Sequence, residues 1–406
     1  MLVAARAILG IAGATLAPAT LSLIRNIFEN PEERAIALSA WTASNFVGAA
    51  IGPAVGGVLL EYFAWPAVFL IGVPFMMVVI VLGPRFLPEY RDPQAPHIDF
   101  TSTAMSVICV LATVYGLKHL AEHGIGLPSL SGIAGGASMG VLFVRRQSRL
   151  SVPLIDREIF RTPGASAALG TYSLISFVGT GMFVLLGQFV QLVLKLRPIE
   201  AGLWTLPLPL GYLLGAVATP FLIRHMKQVT VMTGGLAVGA VGFFLLSCVG
   251  ENTTTALVAM ACATYAVGLG AVLSLASSLI VGVAPPKQAG VVAAISETAS
   301  ELSGALGVAL LGSLGVFVYR LAMTGAMPLT TMDLNVSTLG GAVDVAHRLG
   351  GEVGDQLLEV SRKAFTQGMR VAALASAISL ICAAAWVWRS VSSPRPMIAA
   401  SDLGRH

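Results

Sequence analysis

Charge is scarce in this chain. Only 11% of its 406 residues are Asp, Glu, Lys or Arg, whereas a soluble domain carries about 25%. With 56% hydrophobic residues and a mean hydropathy of +0.83, it has too little polar surface to cover itself in water. A cytosolic enzyme, a nucleic-acid binder and a disordered chain are excluded on that ground. Cysteine is scarce too. Cys109, Cys248, Cys262 and Cys382 sit singly in apolar runs, without C-x-x-C or a neighbouring histidine. Neither a disulfide framework nor a metal site is expected, and they read as small core residues. The six histidines fall in loops or at helix ends. No H-E-x-x-H and no G-x-x-x-x-G-K-[ST] is present, which argues against a metalloprotease and a self-contained ATP-driven pump. The string GASMG, Gly136 to Gly140, matches G-x-S-x-G but places Ser138 in an apolar helix with no base nearby. No enzymatic activity and no cofactor are expected.

What is abundant is apolar length. A membrane-spanning helix needs roughly 20 mostly apolar residues, and such segments fall near 2–24, 35–60, 65–83, 101–121, 127–144, 165–193, 201–223, 229–249, 255–283, 289–318 and 367–389. About eleven crossings are expected, in an all-α polytopic membrane protein. Strand-length alternation is missing, which excludes an outer-membrane barrel. Turn residues such as Asn30-Pro31, Pro93, Pro96, Pro128, Pro163, Pro198 and Pro285-Pro286 mark the boundaries.

Basic residues divide the loops. Arg25, Arg34, Arg85, Arg91, Arg145, Arg146, Arg149, Arg157, Arg161, Arg224, Lys227, Lys287, Arg389, Arg395 and Arg405 fall on one side. The opposite short loops offer Lys118, Lys195 and Arg197. The richer side is read as cytoplasmic, which puts the C-terminus inside a cell membrane. The net charge of +4 follows from this pattern and needs no nucleic-acid partner. The long opposite loop, 319–366, balances its charges. Its stretch 339–363 has helical apolar spacing at Val343, Ala346, Leu349, Val353, Leu357 and Val360. It reads first as an exposed connector, and alternatively as a cap over the outer mouth of a pathway.

Ionisable residues at membrane depth are costly and point to function. Glu297 and Glu301 lie four residues apart on one helix face, with Glu301 expected near the bilayer midplane. Such a pair suits proton exchange and attracts a cation when ionised. The plainer alternative is that Glu297 solvates the helix end at the headgroups. Arg6 lies about one turn into the first helix and could snorkel to the surface instead. Gln188 and Gln191 either line a polar path or sit at the interface. The segment GAAIGPAVGG sets Gly48, Gly52 and Gly56 at i, i+4 and i+8, with Pro53 and Gly57 beside them. This is a smooth stripe for close backbone approach, bent by proline.

These residues together resemble the major facilitator superfamily, and within it the fourteen-helix drug:proton antiporter branch that exports quaternary ammonium compounds and other lipophilic cations. LVAARAILGIAGATLAPATLSLI is similar to the fourth helix of that superfamily, with Arg6 as its motif arginine. GAAIGPAVGG matches the antiporter motif of the fifth helix. LPEYRDP with IDF, and RRQSRLSVPLID, resemble the connectors around the two extra central helices. GQFVQLVLKLRPIEAGLWTLP resembles the junction of helices nine and ten, and SETASELSGALGVALLGSL the thirteenth helix, both glutamates included.

The resemblance implies a helical bundle truncated at its start, since eleven crossings remain of fourteen when the first three are lost. The acidic motif of the first helix and the latch loop between helices two and three are then missing. It implies an organisation of 1–83 as the remainder of the N-terminal half, 84–163 as the extra helices with their connectors, 164–390 as the C-terminal half, and 391–406 as a cytoplasmic tail. By resemblance, Glu301 assisted by Glu297 exchanges a proton for a lipophilic cation. Arg6 tunes local proton affinity, the Gly48–Gly57 stripe limits leak, and the proton gradient supplies the energy. The 201–223 helix lacks the aspartate that some members carry. An exporter of a neutral or anionic metabolite, and a non-transporting remnant, stand as alternatives. Oligomeric state is not legible.

Overall fold

Backbone amides in a bilayer find no water, so an apolar chain satisfies them within helices. The computed structural model describes residues 2–28, 30–86, 99–150, 163–250, 253–283, 289–326 and 336–392. Expectations that rest on Arg91, Pro93, Pro96, Arg157, Arg161, Pro285-Pro286, Lys287 and the tail beyond Ser392 lie outside them. Among the described residues, nine helical segments are long and apolar enough to cross a membrane, and shorter apolar stretches lie at Val3–Gly13 and Val47–Tyr62. Together these occupy the eleven positions expected.

The chain opens with α1 (Leu2–Ile27) and α2 (Pro31–Tyr62), the latter a single helix despite Pro53 within it. A short turn of helix, α3 (Ala67–Leu70), precedes α4 (Gly72–Phe86), which buries no residue. Then α5 (Phe100–His123) and α6 (Leu127–Gln147) form an antiparallel hairpin. Small residues let them touch: a β-carbon on Gly116 would lie 2.5 Å from the Ile133 nitrogen, and one on Gly132 2.7 Å from the Gly116 Cα. Asp99 closes the hairpin. It caps α5 through the Ser102 amide and takes a paired hydrogen bond from Arg146, whose Nη2 lies 3.0 Å from Oδ1. The Ser102 hydroxyl first, and then the guanidinium, hold the Asp99 carboxyl down at about 2.

The main core is built from α7 (Pro163–Gln188), α10 (Gln228–Ser247), α11 (Thr255–Val283), α12 (Ala289–Ala326) and α14 (Gly351–Ser392). Phe243 of α10 stacks on Tyr265 of α11 with ring centroids 4.4 Å apart. The end of α7 loosens into a π-helical turn, Phe189–Val193, and Lys195 takes a left-handed φ of 56° before Pro198. There α8 (Pro198–Trp204) begins, and α9 (Pro207–His225) follows after a break at Thr205–Leu206. Arg362 on α14 donates to the carbonyl of Leu192 at 2.9 Å, satisfying an acceptor that the π turn frees.

The stretch expected as one helix over 339–363 is broken. Helix α13 (Leu339–Leu349) ends at Gly350 and Gly351, both with φ of 61°, a conformation glycine adopts at no steric cost. Everything after the break is continuous with α14, so the last helix begins well before residue 367. Nor is α13 only an exposed connector, because Leu339, Ala342 and Ala346 are buried in the core.

Candidate functional site

Helices α7 and α12 run parallel and almost without side chains between them. Ser176 meets Ser300, Thr180 meets Gly304, and Gly181 meets Gly307, so residue numbers rise together on both. A β-carbon on Gly181 would lie 2.6 Å from the Gly307 carbonyl oxygen. Along this seam runs a polar string: the Ser176 and Ser300 hydroxyls are 2.6 Å apart, and Tyr172, one turn before Ser176 on the same face, lies beside Ser300 and Glu297. Glu297 is half-buried against α7, whereas Glu301, one turn on, is exposed. Both carboxylates stand within the apolar stretch Ile295–Thr324 of α12, with Glu301 one turn further along than Glu297.

One turn beyond Glu301, Ala305 enters a cavity of about 550 Å³. Its wall continues along the same helix face through Ala309 and Gly312, and Gln188 lines the α7 side. Lys118 of α5 contributes a cation, and Thr338 at the start of α13 also lines it. Tyr319 lines the cavity and donates to the Val336 carbonyl at 3.2 Å, tying α12 to the chain just before α13. Gln191, the other glutamine singled out from the sequence, is exposed and not among the lining residues.

The glycine-rich helix α2 packs on α8, and the contact is made at one end of the motif. A β-carbon on Gly57 would lie 2.5 Å from the Pro198 oxygen, and one on Gly202 2.5 Å from the Pro53 oxygen. Gly48, Gly52 and Gly56 have no described heavy atom within 4 Å of a β-carbon position. Beyond this seam Glu61 pairs with Arg197, and the hydrogen bond from the guanidinium pushes the Arg197 pKa further up. Arg6 lies elsewhere, its guanidinium 4.5 Å above the Phe69 ring, a cation–π contact.

Sequence reading passed over Tyr172, Ser176, Ser300 and Glu61. A signal existed for the first two: polar residues at i and i+4 in an otherwise apolar helix share one face.

The Major Facilitator Superfamily model matches residues 1–308. The chain belongs to that superfamily. This superfamily member is 37% identical over 391 residues to the multidrug efflux pump LfrA of Mycolicibacterium smegmatis, covering 95% of the chain and 77% of LfrA. It is 30% identical to the methyl viologen resistance protein SmvA of Salmonella typhimurium, over 96% of the chain and 80% of that protein. It is 32% identical to the puromycin resistance protein pur8 of Streptomyces alboniger, over 85% and 70%. Among solved structures, a bacterial homologue of the human lysosomal transporter Spinster, inward-facing and unoccupied, superimposes with a TM-score of 0.53 at 16% identity, covering 91% of this chain and 73% of that one. That likeness is one of fold. The protein is a multi-pass membrane transporter and not an enzyme.

Proposed function

We propose that this transporter exports lipophilic cationic drugs across the cytoplasmic membrane in exchange for protons, with its C-terminus inside. The observation that carries the reading is the continuous face of α12, on which Glu301 stands one turn from a cavity lined by Gln188. An ionised carboxylate there attracts a cation, and a protonated one releases it. Glu297 stands behind it as the second carboxyl. The names of the relatives, which speak of multidrug efflux and of methyl viologen and puromycin resistance, agree with a drug as cargo. Alternating access would separate α2 from α8, opening the seam at Gly57 and Gly202. The proton gradient supplies the energy and no cofactor is called for.

The test uses everted vesicles holding an inward proton gradient and a pH-sensitive dye. Adding a quaternary ammonium drug should discharge the gradient with the wild-type chain and not with Glu301→Gln. Equal discharge by the variant removes Glu301 from the mechanism. One observation favours a second reading, export of a neutral or anionic metabolite: the charged residue in the cavity wall is Lys118. Transport that persists when the proton gradient is collapsed would support that alternative.

A further inference from the structure

Two carboxylates on one face raise the question of which holds the proton and which meets the drug. The surroundings of the two differ. Glu301 is exposed, one turn before the cavity-lining Ala305, whereas Glu297 is half-buried beside Tyr172 of α7. The Tyr172 ring is itself fixed, packed against a small buried cluster of Ala168, Leu169, Ala276 and Ile280. One turn further on, the Ser176–Ser300 hydroxyl pair and the glycine contacts lock the two helices in register. A phenol held this firmly presents its proton to one place.

We propose that Tyr172 is the positioning residue of Glu297: its hydroxyl donates to the ionised carboxylate and holds it on α7, leaving Glu301 as the carboxylate that faces the cargo. This rests on the proton-coupled reading above and assigns the pair separate tasks. Among the described residues, Glu301 and Tyr172 are the titratable groups that act on Glu297. Over 163–193 and 255–283, α7 and α11 carry no Asp, Glu, Lys, Arg or His. On α12 itself, Glu301 is the neighbour of like charge. Among the elements packed on α12, α5 brings Lys118 to the cavity rather than to this end. On α14, Arg362 and Arg370 donate to the carbonyls of Leu192 and Ser247, Lys363 pairs with Glu359, and Arg389 lies one turn past Trp386, which packs on Gly170. Arg6 of α1 lies over Phe69.

The experiment reads Glu297 directly. The full chain in nanodiscs is labelled with a carbodiimide, which reacts with protonated carboxyls, across a pH series, and labelling at each glutamate is quantified by mass spectrometry. Tyr172→Phe keeps the ring and its packing but removes the donor, so the Glu297 labelling midpoint should move to higher pH by about one unit. Thr180→Val disturbs the same helix seam, against Gly304, outside the Tyr172–Ser300 string, and should leave the midpoint in place. An unmoved midpoint in Tyr172→Phe, or an equal shift in Thr180→Val, overturns the proposal. Drug-driven proton release measured on the same samples judges the coupled reading separately. A shifted midpoint with no proton release in the wild type would uphold the positioning and sink antiport.

Discussion

Gly202 of α8 lies against the carbonyl of Pro53 on α2, so close that a β-carbon there would come within 2.5 Å of the oxygen. Nothing flexible can yield, because the obstructing atom is backbone. Gly202→Ala should therefore force the two helices apart, at a cost of about 1–3 kcal/mol. Gly48→Ala and Gly52→Ala meet open space and should be tolerated. Thermal unfolding of the purified variants, with drug export in cells, checks the contrast. Equal damage at Gly48 and Gly202 would mean that this seam is not the functional contact of the motif.

The Glu61–Arg197 pair spans the same seam. Arg197 is largely exposed, with 64% of its side chain accessible, so solvent screens the pair. Neutralising either member should leave the fold intact and shift the balance between seam-closed and seam-open forms only slightly. Thiol labelling of a cysteine placed at Ile199 would report the opening. The exchange Glu61→Arg with Arg197→Glu should restore much of the wild-type labelling, and a failure to do so would separate the pair from closure.

The hairpin clasp at Asp99 has a defined pH window. Its carboxyl is held down from 3.8 to about 2 by Ser102 and Arg146. A carboxylate depressed in the folded state contributes stability above its unfolded pKa and loses it as pH falls through the folded one. The α5–α6 hairpin should therefore lose protection between about pH 4 and pH 2. Amide hydrogen exchange at the start of α5 measures this, and Asp99→Asn should show no such step.

Lys118 tests the sign of the cargo. If cations pass the cavity, Lys118→Gln should leave cationic drug export unchanged or raise it, because a like charge is removed from the wall. If the cargo is an anion, the same variant should reduce export severalfold. Transport assays with one cationic and one anionic dye of similar size decide between them.

Part of the candidate site is legible in the sequence alone. Glu297 and Glu301 stand out because a carboxylate in an apolar run is expensive wherever the helix faces. Their shared face follows from a spacing of four. The glycine motif was legible as a packing surface, but the glycine that meets α8 is Gly57 and not the regular stripe of Gly48, Gly52 and Gly56. Which glycine lies in contact depends on the rotation of α2 about its axis. Tyr172 was passed over for a related reason: its meaning lies in a partner on α12, more than a hundred residues away.

The approximate placement of the apolar helices along the chain is a property of the sequence, because crossing a bilayer requires that some twenty consecutive residues be apolar and helical. The break at Gly350–Gly351 belongs to the tertiary structure, as α13 must turn back to bury Leu339 and Ala346 in the core. So do the Ser176–Ser300 contact and the Glu61–Arg197 pair, the latter 136 residues apart. Helices that are apolar on every side carry little periodic signal to say which face meets which neighbour. Their rotation and register are settled only when glycines, hydroxyls and carboxyls from distant segments pack together.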